Sequence, residues 1–137
     1  MLQQDYLLRM IMQFAEAIRQ SMQKAQGEHD PRIAAEMLET AVGEATDIDG
    51  SILLGLAPES MVQIMQVSGT DHHLVGYIAH SLLLSSLYLQ EANEPGRAKL
   101  REQQARAVAS AYGIALPESY SIAEMDAFLD SCEQPDC

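Results

Sequence analysis

Apolar residues recur at intervals of three and four along most of this chain, and that spacing restricts its fold more than any other feature. From Tyr6 to Ala25 they form one continuous helical stripe. The stripe consists of Leu7, Met10, Ile11, Phe14, Ile18, Met22 and Ala25. No alternating strand pattern of useful length and no β-hairpin turn is present. The sequence therefore predicts an all-α fold.

Helix-start and helix-stop residues divide the chain into four parts of one all-helical domain, residues 1–137. The first helix stops at Gly27, and Asp30-Pro31 starts a second one that runs to about Thr46. Because the connection is short, residues 1–46 are predicted to form an antiparallel helical hairpin. A short helical insert at 47–69, a second hairpin at 70–113, and a short helix with an acidic tail at 114–137 complete the prediction.

Within the insert, residues 47–51 are predicted to be a turn, 52–56 one helical turn, and 58–67 a short helix. In the second hairpin, Thr70 is the predicted N-cap of a long helix that reaches about Asn93. The apolar residues of this helix occupy most of its circumference, so we expect it to be the central helix. A fourth long helix ends before Gly113, and a capping box from Ser121 to Glu124 opens the last one.

The charge of the chain excludes two classes of partner. With 8 Lys and Arg against 20 Asp and Glu, the formal net charge is −12. Coulomb repulsion then opposes binding to a nucleic-acid backbone or to an anionic membrane surface. Residues 74–90 carry no Asp, Glu, Lys or Arg, but they fall short of the ~20 apolar residues that a membrane span requires.

Two features of the chain ends bear on localisation. No basic region followed by an apolar core and a cleavage site opens the sequence, so we expect a cytoplasmic location. The two cysteines, Cys132 and Cys137, both fall in the last six residues, where a disulfide would close a very short loop. We expect them to be reduced thiols.

The basic residues concentrate in the fourth long helix, whereas the acidic residues concentrate in 28–67 and 114–137. Residues 94–113 contain four basic residues and two acidic ones. Two interpretations remain open. The basic helix is either a solvated face of the bundle or a surface that docks on the acidic second helix of another copy.

The two hairpins resemble tetratricopeptide repeats, whose second helix carries small, large and small residues at fixed spacing. Ala34, Leu38 and Ala41 match that pattern in the first hairpin. In the second hairpin Ala98 and Ala105 match, whereas Glu102 stands where the large apolar residue belongs. The resemblance implies two stacked helical hairpins.

The run from Gln4 to Ile11, the acidic hairpin after it, and the segment Leu54–Leu56 with Pro58-Glu59 also resemble a family of short uncharacterised bacterial proteins. The members of that family have an all-helical, degenerate tetratricopeptide-like fold and no assigned activity. The resemblance implies the fold and leaves the function open.

No motif in the chain supports catalysis or a cofactor, and we expect neither. His73 and His80 share a helix face, but seven residues of helix separate them by about 10.5 Å, too far to chelate one ion unaided. Asp47 and Asp49 before Gly50 resemble a calcium loop, yet its first and twelfth positions would be Ala45 and Leu56, which cannot coordinate calcium.

The first helix carries a second apolar stripe, formed by Leu8, Met12 and Ala15, in addition to the one that packs its own hairpin. A surplus stripe needs a partner, so we expect a protein–protein interaction module or a small homo-oligomeric scaffold, such as a homodimer. The alternative is a small-molecule-binding or catalytic helical bundle whose polar centre lies near Tyr77 and His80.

Overall fold

The computed structural model describes residues 2–131, with side chains described from residue 5 onward. Over that range the chain forms seven α-helices and no strand, which confirms the all-α class. Cys132 and Cys137 lie outside the described residues. The helices are α1 (Leu2–Gln26), α2 (Pro31–Thr46), α3 (Gly50–Leu53), α4 (Pro58–Ser68), α5 (His72–Glu91), α6 (Pro95–Tyr112) and α7 (Ile122–Ser131).

The long helices pack in chain order: α1 lies on α2, α2 on α5, and α5 on α6. The central position predicted for the third long helix is confirmed, because fourteen of the twenty residues of α5 are buried. The short helix α3 packs on α2, α4 packs on α6, and α7 lies against α5. In the described part of the chain, no helix combines the length and the apolar character needed to cross a membrane.

Small residues let the helices approach closely. In α2 the matched residues Ala34, Leu38 and Ala41 are all buried. In α6 Ala98 is buried, and its carbonyl accepts a hydrogen bond of 2.7 Å from the Ser86 hydroxyl of α5. A hydroxyl reaches a backbone carbonyl on a neighbouring helix only when no large side chain keeps the two helices apart.

Two predicted helix starts are wrong. Asp71, not Thr70, is the N-cap of α5, since its carboxylate accepts the His73 amide at 2.8 Å. The Thr70 amide instead donates to the Met65 carbonyl, in the turn that closes α4 after Gly69. The insert helix spans Gly50–Leu53 rather than 52–56, because the Asp49 carboxylate caps it two residues early. The predicted Asp30 cap of α2 is confirmed.

A buried polar cluster ties α6 to α2 and to the segment after α3. Arg101, only 4% exposed, donates to the Leu54 carbonyl at 2.8 Å, to the Gln104 side-chain oxygen at 3.1 Å and to Glu39 at 2.8 Å. The Gln104 amide donates to the carbonyls of Leu54 and Leu56, both at 2.9 Å. The irregular stretch between α3 and α4 is thus held by side chains of α6.

The same cluster extends to the surface, where further basic residues form ion pairs within the chain. Arg97 forms a second ion pair with Glu39 at 3.1 Å, and Arg32 of α2 pairs with Glu94 at 3.2 Å. Basic residues of α6 therefore bind an acidic residue of α2 within one chain. Arg97 and Arg101 are therefore engaged within their own chain, which favours that arrangement over the docking of α6 on the α2 of another copy.

We predict that Arg101→Met destabilises the protein by about 3 kcal/mol, because a half-buried carboxylate and a buried carbonyl each lose a charged donor. The matched control is Arg32→Met, whose side chain is 60% exposed and whose ion pair contributes less than about 1 kcal/mol. Urea unfolding followed by circular dichroism measures both. Equal losses for the two variants would contradict the structural role of Arg101.

Candidate interaction surface on the first helix

The first helix is longer than the helix it packs on. α1 has 25 residues and α2 has 16, so nine residues of α1, about 14 Å of helix, extend past α2. The chain reverses between Gln26 and Pro31, which places this excess at the N-terminal end of α1. Met10 of α1 already lies beside Ala45, near the end of α2. The turns up to and including Met10 form an overhang.

Large apolar side chains are exposed on this end of α1. Among the described residues seven large apolar side chains are exposed, and three of them fall between positions 6 and 12: Tyr6 at 62%, Leu8 at 58% and Met12 at 63%. Leu8 and Met12 are four residues apart and share a helix face with Ala15. Ala15 is half-buried against the core, so the apolar face runs from solvent to the edge of the bundle.

The opposite face of α1 is part of the core. Phe14 and Ile18 are buried, at 3% and 0% exposure, and the Phe14 ring lies 6.0 Å from the Tyr77 ring of α5. α1 therefore carries one apolar face that its own chain covers and a second one, at Leu8 and Met12, that remains in solvent. The two apolar stripes read from the sequence lie on these two faces.

Charges of both signs border the exposed face. Arg9 and Glu16 are both exposed, and Glu16 accepts a hydrogen bond of 3.3 Å from Gln20 one turn later. Over residues 1–27 three basic residues stand against two acidic ones, in a chain whose net charge is −12. The first helix is thus close to neutral, whereas most of the remaining surface is acidic.

The structure brings Tyr77 and His80 together on the ring of Phe128. The His80 ring stacks on Phe128 with centroids 3.8 Å apart, and Tyr77 meets the same ring edge-on at 5.1 Å. The His80 Nδ1 lies 2.9 Å from the Tyr120 hydroxyl. Burial lowers the pKa of His80 to about 4, so at neutral pH the ring is uncharged.

No local pattern indicates that Phe128 and Tyr120 are neighbours of His80. Both come from the C-terminal segment, which follows a loop whose path is set by tertiary contacts. The only local signal was the apolar face of α7, where Met125 and Leu129 are also buried. Among the described residues no group of three His, Cys, Asp or Glu side chains is arranged to hold a metal ion.

Comparison with protein-family profiles, with curated proteins and with solved structures finds no match for this chain. Its function must therefore be argued from its own surfaces.

We predict that His80 makes stability depend on pH. Its pKa is lower in the folded protein than its ordinary value of 6.5, so its contribution is complete above pH 6.5 and is lost as the pH falls toward 4. Wild type should lose about 2 kcal/mol more than His80→Gln between about pH 7 and pH 5. Urea titrations at both pH values measure the difference, with exposed His29→Gln as the control. Parallel pH profiles for wild type and His80→Gln would contradict this account.

Proposed function

We propose that the protein is a protein-interaction module that acts as a small homo-oligomeric scaffold, in which two copies associate through α1. The observation that carries the proposal is the exposure of Leu8 and Met12 on one face of a nearly neutral helix end. Burying apolar side chains of this size against a partner removes them from water, which favours association. The proposal contains no catalytic step and requires no cofactor.

An antiparallel pair of α1 helices fits the order of residues along the exposed face. With Met12 on the two-fold axis, Leu8 of one copy lies near Ala15 of the other, where the small side chain leaves room. The same register places Arg9 near Glu16 of the second copy, once at each end of the contact. Such a surface is self-complementary, as a two-fold interface must be.

The charge distribution supports this contact over other faces of the molecule. Two copies that met through α2 or the acidic C-terminal segment would bring negative charges together, and the basic residues Arg97 and Arg101 are already bound to Glu39. The end of α1 offers apolar surface without a large net charge. A second copy can approach there with the least repulsion.

The alternative function, a ligand-binding or catalytic bundle centred on Tyr77 and His80, has less support. The His80 ring is stacked on Phe128, Tyr77 contacts the same ring edge-on, and His80 is 8% exposed. A buried, ring-packed centre together with an exposed apolar face favours the interaction module.

The tetratricopeptide-like character of the fold is part of the same proposal. Its support is the packing order, in which each long helix lies on the next, and the buried small residues Ala34, Ala41, Ala98 and Ala105. Repeats of that kind are commonly used to bind other proteins, which agrees with a non-catalytic role. A cytoplasmic location belongs to the proposal as well.

We predict that wild type at about 100 µM is a dimer, with twice the chain mass of 15.1 kDa, because few apolar anchors give micromolar rather than nanomolar association. Leu8→Glu with Met12→Glu should give a monomer. The matched control is Ile64→Glu with Val67→Glu on α4, which adds the same two charges at exposed apolar side chains and should leave the dimer intact. Light scattering measures the mass. A monomeric wild type, or a double variant with unchanged mass, would refute the proposal.

We also predict that exchanging the charges of Arg9 and Glu16 tests the antiparallel register of the two α1 helices. Arg9→Glu should weaken the dimer about tenfold, because it sets like charges opposite each other at both ends of the contact. Adding Glu16→Arg to Arg9→Glu should restore the affinity to within about threefold of wild type, since the opposite charges face each other again. Sedimentation at several concentrations measures the dissociation constants. Failure of the second change to rescue the first would rule out the antiparallel register.

A further inference from the structure

A groove of about 660 Å³ lies at the end of the bundle where α2 and α4 end and α5 begins. The overhang of α1 forms one wall, through Tyr6, Leu7 and Met10. These three residues lie on the side of α1 away from Leu8 and Met12, since successive residues of a helix are about 100° apart. The groove is therefore separate from the face proposed for self-association and stays open in that dimer.

Part of the groove is apolar. Leu7 and Met10 of α1, Ala45 of α2 and Leu74 of α5 contribute aliphatic surface, and the exposed ring of Tyr6 adds to it. The space exists because α2 ends before α1 does, so no helix of this chain fills the angle between the overhang and the start of α5. Grooves that are apolar and flanked by helices take the apolar face of a partner helix.

Two carboxylates, Asp47 and Asp71, line the same groove, and none of the described residues that line it is Lys or Arg. Both aspartates are exposed. At Asp71, burial opposes ionisation, but the hydrogen bonds from the His73 amide and ring outweigh it and hold the pKa of the carboxyl below its ordinary value. Both bonds end on Oδ1, so neither uses Oδ2.

Helix ends add to the negative field of the groove. α2 and α4 both finish there, and neither has a basic residue in its last turn to offset the partial negative charge of its terminal carbonyls. α5 begins there, and Asp71 caps its positive end. Two carboxylates, two helix C-termini and one N-terminus amount to about −2.5 elementary charges, with the helix ends counted at half a charge each.

We propose that this groove binds a basic amphipathic helix of another protein. The aliphatic side chains of that helix enter the space between Met10, Ala45 and Leu74, and its Lys or Arg side chains reach Asp47 and Asp71. The charge of the groove selects this partner, because an acidic or uncharged apolar helix lacks the groups that the two carboxylates bind. Anionic membranes and nucleic acids are repelled by the same field.

The proposal is independent of self-association, because the two surfaces use different residues of α1. A chain that is monomeric in solution could still bind the basic helix, and a dimer could fail to bind it. The experiment therefore uses the full chain at a concentration below the dimer dissociation constant, and then again with the Leu8→Glu, Met12→Glu variant. Agreement between the two sets of affinities shows that the groove binds the peptide without any contribution from self-association.

The probe is a synthetic helical peptide of about eighteen residues, with Leu on one face and Lys on the other, carrying an uncharged fluorescent label. The matched control probe has Glu in place of every Lys. Fluorescence anisotropy measures the dissociation constants. Amide chemical-shift changes of the labelled protein locate the bound peptide.

The chain offers variants that remove charge from the groove while preserving the local backbone. Asp47 closes α2 with φ of +59°, a conformation that Asn also accepts, and Asn is as good an N-cap as Asp at position 71. Asp47→Asn and Asp71→Asn therefore test the charge alone. The matched control is Asp30→Asn, the same change at the N-cap of α2, at the opposite end of that helix.

We expect wild type to bind the Lys probe and not the Glu probe, with shift changes at the groove. The double Asn variant should bind the Lys probe at least about fivefold more weakly, Asp47→Asn alone about threefold more weakly, and Asp30→Asn within about twofold of wild type. Met10→Gln, which removes apolar surface without changing charge, should also weaken binding. Absence of Lys-probe binding, or an equal loss for Asp30→Asn and the groove variants, overturns the proposal, since equal losses mean attraction by net charge alone.

Discussion

The burial of α5 is the constraint on which the rest of the structure depends. This helix is apolar on nearly every side, and fourteen of its twenty residues are removed from solvent. A helix of that kind must be covered around its whole circumference. α2 and α6 cover most of α5. α1 also contacts α5, and α7 packs on it through Phe128. The groove next to Met10 lies where α2, the shorter of two covering helices, ends before α1 does.

Only part of α1 is needed to cover α5, because α2 is nine residues shorter than α1 and carries most of the contact with it. The N-terminal part of α1 has exposed Leu8 and Met12 on one side and the groove next to Met10 on the other. One helix thus carries two unpartnered surfaces. Their charges differ: the first is nearly neutral and suits a second copy, whereas the second is acidic and suits a basic partner.

The polar cluster around Arg101 ties α6 to α2 and to the segment between α3 and α4. Arg101 and Gln104 bind the carbonyls between α3 and α4, and Glu39 anchors the same guanidinium from α2. Removing one member leaves buried polar groups without partners, which is costly.

Much of the fold could be predicted from the sequence, because helix periodicity and capping are local. The central role of α5 and the start of α2 at Asp30 follow from residue spacing and cap chemistry alone. The predicted N-cap of α5 is wrong by one residue. Thr70 and Asp71 are both capping residues, but the Thr70 amide is used in the turn that closes α4. The Glu39–Arg101 pair joins residues 62 positions apart, and nothing local reports it.

Of the candidate site, the apolar face of α1 could be predicted from the sequence, whereas the groove and the surroundings of His80 could not. The spacing of Leu8, Met12 and Ala15 shows that α1 has two apolar faces, which is a local property. The groove depends on which helix ends meet, so Asp47 and Asp71 could not be linked from sequence, although each marks a helix end. The stacking of His80 on Phe128 likewise depends on the return of α7 across α5.

Disulfide trapping at the two-fold axis tests the central claim, self-association through α1, most directly. Met12→Cys, in a chain whose Cys132 and Cys137 are replaced by Ser, would place two thiols within bonding distance across an antiparallel contact. Mild oxidation should then link most of the protein into a covalent dimer, while Val67→Cys in the same background, equally open to solvent, remains monomeric. Equal cross-linking of both variants, or none at Met12→Cys, would contradict the account.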